Sequence, residues 1–204
     1  MASDESSRRA PRKSDRSRQS ILDAARIAFA RKGFSGATIR DITDLADVNR
    51  VGFYYYFTDK TQLFIELGTE TYRQVLEVVE AFDEIAIPPS RIELEAWVES
   101  YFAYLDRNGA FVNRSTEDMP TDDGFRAAVA RSRRRAATAL GERIAKMAPS
   151  DVDVDSAATG LVVMAMLDQS WQMMQHNEIA NISRSAVVAA ATDLLWRAVD
   201  QPSE

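Results

Sequence analysis

The sequence predicts an all-α protein, and three observations carry that prediction. Apolar residues recur at three- and four-residue spacing in one segment after another, capping residues stand where those segments begin, and no stretch alternates long enough to make a strand. The expected architecture is an N-terminal head of three short helices, containing a helix-turn-helix, followed by a larger helical body. With 204 residues and 46% hydrophobic content, the chain can bury a sizeable core.

The chain opens on residues 1–18, where Arg8, Arg9, Arg12, Lys13, Arg16 and Arg18 stand with almost nothing apolar. Such a segment has little surface to bury, so a disordered basic arm is expected, and it lacks the apolar run of a secretory signal. Next, Ile21, Leu22, Ala25, Ala28 and Phe29 share one helical face, closed by Lys32 and Gly33 as a basic last turn and a glycine stop. Thr38 and Asp41 have the spacing of a capping box, which starts a second helix bearing Ile39, Ile42, Leu45 and Ala46. Asp47 suits a left-handed turn position and Asn49 an N-cap, so a short third helix follows. A long helix then runs from an Asp59 N-cap to about Phe82, and Pro88 and Pro89 separate it from helices expected over 90–106, 110–118, 123–147, 154–177 and 184–199. The resulting division is an arm over 1–18, a head over 19–64 and a body over 65–204.

The formal net charge of −6 conceals an asymmetry: residues 1–60 hold 12 Lys and Arg against 8 Asp and Glu, and the remainder 13 against 23. A basic head on an acidic body is the distribution expected when one end meets a polyanion. The absence of cysteine excludes disulfides and thiol nucleophiles, and a single histidine, His176, leaves no histidine cluster for a metal. There is no glycine-rich phosphate loop and no nucleophile motif, so no catalytic residue, metal or cofactor is expected. The longest apolar run, 161–167, falls far short of the roughly 20 residues of a membrane helix. A soluble, cytoplasmic protein with no membrane partner is expected.

The chemistry concentrates in "NRVGFYYYFTDK", residues 49–60. In a helix beginning after Asn49, steps of roughly 100° place Arg50, Val51, Tyr54 and Tyr55 on one arc and Gly52 and Phe53 on the other. Phe53 and Phe57 then serve the core, and Tyr56 fits either role. The outward arc suits a DNA groove: arginine pairs with guanine O6 and N7, valine touches a thymine methyl, and tyrosine hydroxyls reach phosphate. Lys60 opposes the helix dipole at the start of the next helix, a cost that a phosphate would reverse, and Thr38 marks a second helix N-terminus of that kind.

From "ILDAARIAFARKGFSGATIRDITDLADV" through "NRVGFYYYFTDKTQLF" the sequence resembles the TetR family of bacterial transcriptional regulators. The resemblance implies a homodimer that binds palindromic double-stranded operator DNA, usually as a repressor, and leaves it when a small-molecule effector enters the body. It implies base or phosphate contact at Arg40, groove reading at Arg50 and Val51, and backbone contact at Thr38, Tyr54, Tyr55 and Lys60, around the cap at Asn49. Two positions depart from the family pattern. Asp47 stands where the turn usually has glycine, and Gly52 where a threonine or serine commonly adds a contact. A DNA-binding dimer with no effector, or a helical carrier or enzyme, are the alternatives.

In the body, the apolar segment around 161–167 and the alanine-rich final helix with Leu194, Leu195 and Trp196 suit a four-helix interface between two copies, the arrangement the resemblance implies. Trp97, Tyr101, Tyr104, Phe111, Phe125, Met164, Asp168 and Trp171 are the candidate effector contacts, with Met119, Met174, Gln172 and His176 as further candidates. The expected effector is largely hydrophobic or aromatic. The long helix that begins at Lys60 and enters the body is the expected coupling element between effector and DNA.

Overall fold

The computed structural model describes residues 13–147, 155–175 and 181–199. The described residues form helices α1 (Lys13–Gly36), α2 (Ile39–Ala46), α3 (Arg50–Tyr56) and α4 (Lys60–Glu80), a 3-10 turn (Ala81–Glu84), then α5 (Arg91–Glu117), α6 (Asp123–Met147), α7 (Ser156–Gln175) and α8 (Arg184–Val199), with no strand among them.

Local signals place the first turns of the head. The Thr38 hydroxyl accepts the Asp41 amide at 3.1 Å, and the Asp41 carboxylate accepts the Thr38 amide at 2.9 Å, closing the capping box of α2. Asp47 ends that helix in the left-handed region, φ 54, and the Asn49 side chain caps α3 by accepting the Gly52 amide at 2.7 Å. Ile21, Ala25 and Phe29 of α1, Ile42 of α2, Phe53 of α3 and Leu63 of α4 close into one core with exposures of 0–1%. Burying each large apolar side chain contributes roughly 1.5–3 kcal/mol.

The expected arm ends sooner than its composition suggests, because α1 already begins at Lys13. Asp15 in the first turn favours the helix dipole. Arg18 is held by an ion pair with Glu66 of α4, and its guanidinium lies 5.4 Å from the Phe57 ring centroid. Residues 1–12, with Arg8, Arg9 and Arg12, lie outside the described residues. At the other end, Gly33 interrupts α1 with φ 73 and ψ 174, and a last turn to Gly36 follows.

The body differs from expectation in one place. The break expected between 106 and 110 is absent, and α5 runs unbroken through Asn108 and Gly109. Both residues answer tertiary demands. Asn108 is 1% exposed and donates to Gln74 Oε1 at 2.9 Å, whereas a Cβ on Gly109 would stand 2.6 Å from the Trp171 ring. Glycine also sets the α6–α7 crossing: a Cβ at Gly141 would lie 1.7 Å from the Ser156 carbonyl oxygen and one at Gly160 1.8 Å from that of Ala137. The two backbones are therefore in direct contact. A second core joins the end of α4 to α5–α8 through Val79, Phe82, Val98, Phe102, Leu140 and Leu195.

Candidate nucleic-acid interface and internal cavity

The exposed surface of α3 follows from its anchor. Phe53 is fully buried and packs on Phe57, with ring centroids 5.8 Å apart, which turns the opposite face outward. There Val51 is 79% exposed, Tyr55 77% and Tyr54 45%. Arg50 is exposed; its guanidinium donates to the Tyr54 hydroxyl at 3.2 Å and lies 5.6 Å from that ring's centroid, so the two side chains hold each other upright. Gly52 is an ordinary helical glycine whose missing Cβ would meet only Asn49 Oδ1 at 3.3 Å and Val48 at 3.9 Å.

Around this face, Arg40 of α2 projects with 88% of its side chain exposed, 3.6 Å from Asp44. The Thr38 hydroxyl is engaged in the capping box. Asp41 is held well below the usual carboxylate range, at about 2, by hydrogen bonds from Lys32 and then Thr38. Lys60 adopts a geometry that spacing alone did not reveal. Its ammonium donates to the carbonyl oxygens of Phe34 at 2.6 Å and Ala37 at 2.8 Å, above the Phe34 ring at 4.5 Å. One N–H remains for another acceptor. The same corner is tied to the body by Asp118 at the end of α5, which accepts the Ser35 amide at 3.0 Å and its hydroxyl at 2.7 Å. These bonds hold the Asp118 carboxyl below its ordinary range.

Between α4, α5, α6 and α7 lies a cavity of about 500 Å³. Tyr101, Tyr104, Phe111, Phe125, Met164 and Asp168, all candidates from sequence, line it together with Met119 and Arg133. Trp97 and Trp171 are not on its wall. The indole of Trp97 donates to the Val78 carbonyl at 2.8 Å and packs edge-on against Phe82, while that of Trp171 donates to Asp106 at 2.8 Å over Gly109. Each buried indole N–H found its partner in the packed core instead. Gln172 is off the wall as well, and His176 lies outside the described residues.

Spacing missed the contribution of α4, which presents Phe64, Gly68, Thr71 and Tyr72 to the cavity. The signal was present in adjacent hydroxyl residues, Thr71 and Tyr72, set within an apolar helix face. The Thr71 hydroxyl and the Tyr72 hydroxyl are buried with no hydrogen-bond partner. Opposite α4, the Tyr101 hydroxyl donates to Asp168 Oδ1 at 3.0 Å. Burial pushes the Asp168 carboxyl up to about 6, against the Tyr101 bond and the Arg133 charge, which lower it. Burial raises the phenols of Tyr101 and Tyr104 too.

Cavity and head share side chains. Phe64 and Phe111 line the cavity and also stack on Phe29 of α1, with centroids 5.0 and 6.3 Å away, and Phe64 meets Phe34 at 5.2 Å and Phe125 at 5.9 Å. Elsewhere, α7 and α8 leave apolar side chains outward: Val162 is 66% exposed and Leu194 58%, while Leu161, 60% exposed, stands at the cavity. Among the described residues, no helix is long and apolar enough to cross a membrane and no group of acidic or histidine side chains is placed to hold a metal.

The sequence model of the bacterial regulatory proteins of the tetR family matches residues 21–67, from the first core residue of α1 into α4. The HTH-type transcriptional repressor AcnR of Corynebacterium glutamicum is 40% identical over 63 residues, which cover 31% of this chain and 34% of that protein. The Transposon Tn10 TetC protein of Escherichia coli is 30% identical over 104 residues, 50% of this chain and 51% of that one. The match thus spans about a third to a half of the length of these curated relatives. Among solved structures, a TetR-like transcriptional regulator from Rhodococcus sp. RHA1 superposes with a TM-score of 0.67 at 21% identity, covering 93% of this chain and 97% of that one, a likeness of fold. AcnR is a transcriptional repressor and the Rhodococcus protein a transcriptional regulator.

Proposed function

We propose, from the family match over residues 21–67 and the shared fold, that the chain is a homodimeric repressor of the TetR family that binds palindromic operator DNA and leaves it when a small, largely apolar effector fills the cavity. The observation that carries the DNA half of this reading is the exposed arc of Arg50, Val51, Tyr54 and Tyr55, set against a fully buried Phe53. Arg50 and Val51 read base edges, while Tyr54, Tyr55, Arg40 and the N-terminal region of α2 at Thr38 meet the backbone. Lys60 takes part through its remaining N–H and through the helix end it begins.

Exposed Val162 and Leu194 support assembly of two copies through α7 and α8, which sets two recognition helices on half-sites about 34–36 Å apart. The shared Phe64 and Phe111 support the coupling. An effector that pushes on them moves the floor of the head, and with it the corner where Lys60 holds the end of α1. Because close-packed rings transmit displacement instead of absorbing it, a small shift at the cavity alters the spacing of the two heads.

The test is binding to palindromic fragments from upstream of its own coding region, measured by fluorescence anisotropy at several salt concentrations. Affinity should fall steeply with salt. Arg50→Ala should cost about 1–3 kcal/mol and relax preference at its base position, whereas Tyr55→Ala should weaken all sequences alike. An Arg50→Ala protein with unaltered base preference overturns the groove assignment.

A further inference from the structure

Building on the effector role proposed for the cavity, we infer that its ligand is a hydrophobic amine: a ring-bearing apolar molecule whose protonated nitrogen pairs with Asp168, with its apolar part against Phe64, Phe111 and Phe125. The cavity of about 500 Å³ is the size that takes a drug-like molecule and is walled mostly by apolar and aromatic side chains. Its one acidic group is Asp168. Among the described residues the Tyr101 hydroxyl donates to Oδ1 of that carboxylate at 3.0 Å, which leaves Oδ2 as the oxygen a ligand would pair with. A desolvated carboxylate with one donor gains most from a cation placed against it.

Two further observations favour a donor-rich head group. The buried hydroxyls of Thr71 and Tyr72 on the α4 side have no partner and almost no exposed surface, so they accept from an ammonium once their side chains turn toward the cavity. Across from α4, the half-buried ring of Tyr104 on α5 offers a face to a cation. The one basic group of the wall, Arg133, is exposed and acts on Asp168 only through its charge, with no direct ion pair between them among the described residues. An anionic ligand would therefore bring its charge near Asp168 and meet a counter-charge only at the exposed edge. A neutral ligand would leave the carboxylate as poorly compensated as before. The acidic body, 13 Lys and Arg against 23 Asp and Glu beyond residue 60, also draws cations toward it.

The experiment uses three probes of one skeleton, 4-phenylbutylamine, 4-phenylbutan-1-ol and 4-phenylbutyric acid, titrated into the full chain at pH 7.5 with isothermal calorimetry. The amine should bind at least tenfold tighter than either the alcohol or the acid. Asp168→Asn should erase that preference while the alcohol binds as before. Gly68→Leu locates the site independently, because a Cβ at Gly68 meets nothing within 4 Å and the leucine can grow into the cavity; it should abolish binding of all three. Tighter binding of the acid, an amine preference that survives Asp168→Asn, or amine binding untouched by Gly68→Leu overturns the amine assignment alone. Failure of all three probes to bind overturns the assignment and removes the support for the cavity as an effector site.

Discussion

Replacing Gly33 by alanine tests how the head is joined to the body. Gly33 sits at φ 73 and ψ 174, a region open to glycine and closed to residues with a Cβ, at a cost of about 1–3 kcal/mol. The added Cβ would also stand 2.2 Å from Asp118 Oδ2, the atom that accepts the Ser35 amide. Moving that carboxylate away forfeits two bonds to Ser35, which at an exposed site contribute about 1–2 kcal/mol together. The expected loss is therefore roughly 2–5 kcal/mol, or on the order of 5–15 °C in melting temperature for a chain of this size. Urea unfolding followed by circular dichroism measures it. Asp118→Ala supplies the control: alone it costs the Ser35 bonds, and combined with Gly33→Ala it removes the clash, so the double variant should lose less than the sum of the singles. A Gly33→Ala protein destabilised by under about 0.5 kcal/mol, or strict additivity in the pair, would show that neither the backbone nor the Asp118 strap is as described.

Gly68→Ala should act in the opposite direction, raising stability by roughly 0.5–1 kcal/mol in the same urea assay, because the residue is mid-helix and its Cβ meets open space. Phe53→Ala should cost about 3–5 kcal/mol of stability, whereas Tyr55→Ala two positions on should leave unfolding within about 0.5 kcal/mol, since one ring is fully buried and the other 77% exposed. Asp168, with its carboxyl raised to about 6 from 3.8, binds its proton more tightly folded than unfolded, so its contribution to stability falls as pH rises from about 4 to 6 and is lowest above that. Without ligand, Asp168→Asn should therefore flatten the melting profile between pH 4 and 7 and stabilise the protein at pH 7.5 by at most roughly 3 kcal/mol; the groups that act on Asp168 are Tyr101 and Tyr104 of α5 and Arg133 of α6, and the other titratable group of the cavity wall is Tyr72 of α4, none a carboxyl or histidine.

The features legible in the sequence are those whose causes are local. The Thr38–Asp41 box, the left-handed Asp47, the Asn49 cap and the inward Phe53 each depend on residues within four positions, and each sits where spacing puts it. The features that were not legible have partners far along the chain. Asn108 and Gly109 form a turn-like pair, yet they continue a helix because Gln74 and Trp171 fill the space beside them. The two tryptophans looked like cavity walls from their apolar surface, but their N–H groups bind Val78 and Asp106. The start of α1 was hidden because its stabilising partners, Glu66 and Phe57, lie some 40 residues later.

Lys60 shows most clearly how one residue joins the two scales. Under the dipole rule alone, a lysine at the first position of α4 is unfavourable, and an external anion was the natural compensation. The structure supplies an internal one: the carbonyl oxygens of Phe34 and Ala37 at the end of α1 carry the partial negative charge that the ammonium seeks. Lys60 thereby binds the N-terminus of α4 to the C-terminus of α1, and the ring of Phe34 beneath it stacks on Phe64, which lines the cavity four residues further along α4. The helix that carries the cavity wall thus also holds the scaffold against which α2 and α3 pack. On the side away from the cavity Phe64 meets Phe29 and Phe34, and beside the cavity Phe111 and Phe125, at centroid distances of 5.0–5.9 Å, so a ligand that fills the cavity presses it against packed rings. Under the proposed function, that pressure is passed to α1 and to the two carbonyl bonds of Lys60, so Lys60→Ala should weaken the effect of a cavity ligand on DNA affinity, and an unchanged effect would refute this route.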